Sequence, residues 1–132
     1  RYAAELAAAA RAAAAPDGVA VPAFDLLLLG MGAEGHVASV FPESPAARDE
    51  RPVVAVHGCP KPPPTRLSLA FPALNAAREV AFLVAGGAKA PAVALALSGA
   101  GALQVPAAGV SGRERTVWLL DAAAAAHLPA GS

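Results

Sequence analysis

One cysteine, one methionine, one tryptophan and one tyrosine occur in 132 residues, and aromatic residues make up only 5% of the chain. The lone thiol, Cys59, excludes an internal disulfide and a cysteine metal cluster, and it suits a reducing, cytoplasmic compartment. With so few rings, a core has to be built from leucine, valine and alanine. Charge of one sign is missing too, because 10 Lys+Arg balance 10 Asp+Glu. That balance argues against a nucleic-acid partner, whose binding draws on a basic excess, and against an anionic membrane surface. A long apolar run is also absent. The greasiest stretch, residues 24–31, is broken by Asp25 and Gly30 and falls far short of the ~20 apolar residues of a membrane-spanning helix. The chain opens with Arg1 rather than Met and shows no charged-then-apolar leader, so a fragment or processed piece is expected.

What is abundant is alanine, at 38 residues, which accounts for the mean hydropathy of +0.50. Residues 2–15 are nearly all alanine and favour a helix on propensity alone, ended by Pro16-Asp17-Gly18. Residues 24–29 form a short continuous apolar run closed by glycine, the pattern of a parallel strand buried on both faces. A glycine-rich turn follows at 30–35, and 36–41 reads as a short helix stopped by Pro42. Further strands are expected at 53–56, 66–70, 79–85 and 116–120, with one helical turn at 72–77 and a helix at 89–97. Lys61-Pro62-Pro63-Pro64 lacks the backbone donors for helix or central strand. Asp121 is expected to cap a final helix at 122–128. Strands alternating with helices imply an α/β protein with a mainly parallel sheet.

Gly30-Met31-Gly32-Ala33-Glu34-Gly35 matches the G-x-G-x-x-G string of a dinucleotide site. That fingerprint wants an acidic residue ending the next strand about 20 residues on. Here Asp49 and Glu50 sit in a proline-flanked loop before that strand, and Glu34 and His36 crowd the turn with side chains a passive phosphate cradle does not need. The dinucleotide reading is therefore set aside.

The longer run from Gly30 through His36, Ser39, Phe41 and Pro42 resembles the signature of 6-phosphogluconolactonases. The resemblance continues through Pro60-Lys61-Pro62-Pro63-Pro64-Thr65-Arg66-Leu67-Ser68-Leu69, Phe71-Pro72-Ala73-Leu74-Asn75, Gly87-Ala88-Lys89-Ala90, Val105-Pro106-Ala107-Ala108 and Thr116-Val117-Trp118-Leu119-Leu120-Asp121. Related glucosamine-6-phosphate deaminase/isomerases carry Asn-Glu where this chain has Val40-Phe41, so the lactonase branch is the better fit. Many relatives have Asp at the position of Glu34. The resemblance implies a Rossmann-like α/β fold of which this chain is the C-terminal portion, lacking a first half with a glycine-rich phosphate loop and a Gly-Asp-Glu-Arg segment. It implies hydrolysis of 6-phospho-D-glucono-1,5-lactone to 6-phosphogluconate in the pentose phosphate pathway, with no metal and no cofactor. The alternatives are a sugar-phosphate isomerase or deaminase of the same superfamily, or an inactive phosphosugar-binding fragment. The expected partners are a small sugar phosphate and the missing half or another chain.

Opening a lactone with water calls for a base near neutral pH, and an imidazole suits that task. His36 is the candidate, the alternative being a helix-start histidine bonded to the backbone. Glu34 either orients that imidazole or merely favours a helix N-terminus. Gly30, Gly32 and Gly35 would let substrate approach the backbone, and Gly35 is expected at a φ that L-residues disfavour. Lys89, after Gly86-Gly87, is placed to meet a phosphate, or it is a solvated surface lysine. Arg66 either grips an anion bidentately or is an exposed charge at a strand start, and Lys61 is the weaker candidate. The Gly30–His36 turn and Lys89 should lie at neighbouring C-terminal strand ends. Ser39 lacks a nucleophile elbow; His57 and His127 read as structural or exposed, and their scatter does not make a metal site.

Overall fold

A computed structural model describes residues 1–12 and 21–129. The expected breaker Pro16-Asp17-Gly18 and the end of the first alanine segment lie outside those residues. In chain order the elements are α1 (Tyr2–Ala12), β1 (Leu26–Leu29), β2 (Val53–Val56), β3 (Arg66–Leu69), α2 (Phe71–Leu74), β4 (Glu79–Val84), α3 (Ala90–Leu97) and β5 (Arg115–Leu120), with short 3-10 turns between. Among the described residues no helix is long and apolar enough to cross a membrane.

The fold is α/β. Its three-stranded sheet has the order β1-β4-β5 and is parallel throughout, while β2 and β3 pair antiparallel as a separate ribbon. Central β4 carries Val80, Phe82 and Val84 into the core, where Phe82 is fully buried and stacks on Trp118 of β5 at 4.1 Å. Ala92 and Val93 of α3 cover these side chains together with Val105, Ala107 and Val110. Each large side chain removed from water there contributes roughly 1.5–3 kcal/mol. A second cluster joins Leu6 of α1 to Val21 and Ala73, which places the alanine helix against the α2 side of the molecule.

Three expectations need correction. The strand at 24–29 begins at Leu26, and it is not buried on both faces. Leu27 and Leu29 pack against the core, but Leu26 is 54% and Leu28 60% exposed. The parallel register brings Leu83 (51%) and Leu119 (54%) to the same side. The packed helices cover one face of the sheet, and nothing among the described residues covers the other.

Residues 36–41 are a turn rather than a helix. A Val37–Val40 bridge closes it, Ala38 has φ +49°, and both valines are fully buried. The Ser39 N–H donates to Ser68 Oγ at 2.9 Å, so a partner on β3 captures a donor that a helix would need. Residues 122–128 also stay a run of turns. Asp121 does accept from the Ala124 N–H at 2.8 Å as a cap would, but the same carboxylate accepts from Gly86. With Pro129 just beyond, too few residues remain to repay helix nucleation.

Candidate active site

Because β1 and β4 are neighbouring parallel strands, the turns that follow them emerge on the same sheet edge. The first turn is built by its glycines. The Gly32 N–H donates to the His36 carbonyl and the Gly35 N–H to the Gly32 carbonyl, each at 2.9 Å. Gly35 has φ +96°, as expected for that position, and a Cβ there would stand 2.7 Å from Val105 Cγ1. A Cβ on Gly32 would overlap the His36 imidazole itself. At Gly30 an added methyl meets no atom within 4 Å. Only Gly32 and Gly35 are therefore demanded by packing.

The turn aims His36 at Glu34. Its Nδ1 is hydrogen-bonded to Glu34 Oε1, and the ring stacks on Phe41 with centroids 4.4 Å apart. Donation of the Nδ1 proton to the carboxylate leaves the lone pair on Nε2, the tautomer a general base requires. The side chains are 18% and 35% exposed, so the pair is partly shielded from water. Burial works to raise the Glu34 pKa, but the carboxylate is nonetheless held below its ordinary value. Its own backbone N–H, the His36 hydrogen bond and charge, and the nearby Lys61 ammonium outweigh the burial.

Lys89 closes the site from the second turn, its Nζ donating to the Met31 carbonyl. A cavity of about 510 Å³ lies between the turns, walled by Gly30, Met31, Gly32, His36, Lys61 and Lys89. That is ample for a sugar phosphate, since small-molecule pockets run from about 300 to 1,000 Å³. The structure thus brings His36, Glu34, Gly30, Gly32 and Lys89 together as anticipated, with Gly35 supporting them from behind. Arg66 is elsewhere. Its guanidinium donates to the carbonyls of Lys61, Pro62 and Pro63 and to Ser39 Oγ, and it is not part of the cavity wall. Two neighbours of the site carried little weight in the sequence. Lys61 is there only the weaker candidate beside Arg66, and Phe41 enters only as part of the motif.

These features define a class: an α/β protein whose site stands at the C-terminal ends of adjacent parallel strands, with a histidine–carboxylate pair and two lysines around it. A family model described as glucosamine-6-phosphate isomerases/6-phosphogluconolactonase matches residues 1–118. The chain belongs to that family. It is 60% identical over 129 residues to a 6-phosphogluconolactonase of Streptomyces coelicolor, covering 97% of this chain and 48% of the relative. It is 56% identical over 119 residues to one from Mycobacterium tuberculosis, covering 89% and 48% respectively. Among solved structures, the 6-phosphogluconolactonase of Trypanosoma brucei superposes with a TM-score of 0.70 at 32% identity, covering 83% of this chain and 44% of that one. The chain spans about half the length of the curated relatives it matches.

Proposed function

We propose that this chain carries the water-activating half of a 6-phosphogluconolactonase, an enzyme of the pentose phosphate pathway in a reducing cytoplasm. The observation that carries the reading is the Glu34–His36 Nδ1 hydrogen bond on the wall of a cavity that Lys89 also enters. With Glu34 fixing the tautomer, Nε2 takes a proton from a water as its oxygen bonds to the lactone C1. The carbonyl electrons move onto oxygen to give a tetrahedral oxyanion. Its collapse breaks the bond from C1 to the ring oxygen, which recovers the proton from His36, and the acid product then ionises. Both proton transfers run through the imidazole, and neither needs a metal or a redox cofactor. Gly30 and Gly32 keep the turn backbone open to the sugar, while Lys89 neutralises the phosphate. Arg66 acts on the substrate only at second hand, because four of its five donors are bonded within the protein.

The bare sheet face supports a further part of the reading. The segment that covers it corresponds to the first half of the longer relatives, and that half completes the phosphate site. The test measures 6-phosphogluconolactone hydrolysis by this chain alone and fused behind the first half of the Streptomyces coelicolor relative. Rates are taken at mildly acidic pH with the spontaneous blank subtracted, and glucosamine 6-phosphate is offered in parallel. Acceleration of lactone opening by the fusion, with no deamination, is the expected result. Turnover of the amino sugar instead, or no turnover of either, overturns the reading.

A further inference from the structure

Lys61 stands at the start of an unusual loop. Pro62, Pro63 and Pro64 have no N–H groups to offer. Arg66 takes up three consecutive carbonyls of the loop, those of Lys61, Pro62 and Pro63: Nη2 donates to Lys61 O at 2.7 Å and Pro62 O at 2.9 Å, and Nε donates to Pro63 O at 2.9 Å. Nη1 donates to Ser39 Oγ at 3.3 Å, and the guanidinium lies 5.9 Å from the centre of the Phe41 ring that stacks on His36. Four of the five donors of a guanidinium are thereby committed, which leaves no bidentate fork for a ligand. The loop itself is closed by the Cys59 N–H donating to the Pro64 carbonyl at 2.9 Å. An exposed, proline-rich loop is thus tied to the turn that carries His36, and Lys61 is set on the cavity wall.

The two cations of the cavity have different surroundings. Lys89 is tied to the Met31 carbonyl at the start of the glycine turn. The Lys61 main chain is gripped by the guanidinium that reaches Ser39 and lies near the Phe41 ring stacked on His36, and the Lys61 charge helps to lower the Glu34 carboxyl, so Lys61 belongs to the histidine–carboxylate side of the cavity. On the lactonase reading, negative charge develops on the C1 oxygens, next to the water that His36 activates. A fixed cation gains most where charge develops.

We infer that Lys61 binds the reacting, C1 end of the substrate, that Arg66 is the positioning residue which holds it there through the main chain, and that Lys89 serves the phosphate end. The inference rests on the lactonase reading for the identity of the reacting end. Arg66 grips the Lys61 carbonyl rather than its side chain, so Lys61→Ala leaves the clamp intact.

The experiment uses this chain alone and the fusion described above. Calorimetry measures binding of 6-phosphogluconate, which carries a C1 carboxylate, and of inorganic phosphate, which does not. Lactone hydrolysis is followed in parallel. Lys61→Ala should weaken 6-phosphogluconate about tenfold, leave phosphate within about twofold, and lower kcat by about tenfold or more. Lys89→Ala should weaken both ligands. Arg66→Ala, with Arg66→Lys as the milder variant, should reproduce the Lys61→Ala pattern and add nothing in the double variant.

Equal weakening of both ligands by Lys61→Ala, no change in either, or additive losses with Arg66 would overturn the inference, as would a parent protein that binds neither ligand. Selective loss of 6-phosphogluconate binding in a protein that does not open the lactone would end the lactonase reading and keep Lys61. A working lactonase indifferent to Lys61→Ala would do the reverse.

Discussion

Three glycines of one hexapeptide differ in what a methyl group would meet. Gly35→Ala forces an L-residue to φ +96° and drives its Cβ to 2.7 Å from Val105. Chemical denaturation should show a loss of about 1–3 kcal/mol. Gly32→Ala should leave stability closer to the parent but push the imidazole off its Glu34 bond, so kcat falls while the fold persists. Gly30→Ala meets open space and should change stability least. A reversed order in denaturation and rate measurements would contradict this account of the turn. His36→Ala in the fusion should lower kcat by roughly 10²–10⁴, the worth of a positioned base, and change 6-phosphogluconate binding much less. Glu34→Gln removes the charged acceptor for Nδ1 and should cost about 10²-fold or more by the same logic of tautomer control. The Glu34 carboxyl, held below its ordinary 4.5, stays ionised throughout the neutral range. Acid loss of activity through Glu34 therefore sets in only below that value, and a normal kcat in His36→Ala would remove the imidazole as base.

Among the elements, the turns after β4 and β5 are joined by one side chain. Asp121 accepts from the Gly86 N–H with both carboxylate oxygens at 3.1 Å, and from the Ala124 N–H at 2.8 Å. Gly86 has φ +99°, so this bond holds a glycine in a conformation L-residues disfavour, three residues before Lys89. The Ala124 amide, then the Gly86 amide, keep the Asp121 carboxyl below its ordinary 3.8. A depressed pKa in the folded state means the stabilisation is fully present above 3.8 and is lost as pH falls through the lower folded value. Asp121→Ala should lower Tm at neutral pH, and the gap from the parent should shrink at the acid end of a pH series of thermal melts. A gap of constant size would show that the carboxylate charge plays no part.

On the scale of the whole molecule, the sheet has one finished face and one bare one. Leu26, Leu28, Leu83 and Leu119 together present an apolar surface of the kind parallel sheets normally cover on both sides. The chain alone should bind a hydrophobic dye and tend to associate, and the fusion with the relative's first half should abolish both. Leu28→Lys should make the isolated chain more soluble while destabilising the fusion by about 2 kcal/mol or more. A stable dimer of the isolated chain that buries these leucines would instead assign the face to a second copy.

Local chemistry in the sequence was enough to place much of this. Apolar runs bounded by glycine or proline located the strands within one or two residues, because burial and backbone donors act over short stretches. The glycine–histidine motif and the turn before Lys89 were likewise legible, since parallel strands carry their following turns to one edge. Three features depended on hydrogen bonds that residue type and spacing do not reveal. Ser68 took the Ser39 amide and turned an expected helix into a bridge, and Asp121 divided its carboxylate between two turns. Arg66 filled its fork with the carbonyls of a proline loop, leaving Lys61 on the cavity wall. Residue type and spacing determined which groups can do chemistry here. Which of them face the cavity was decided by tertiary hydrogen bonds, because a donor satisfied inside the fold is no longer free for a ligand.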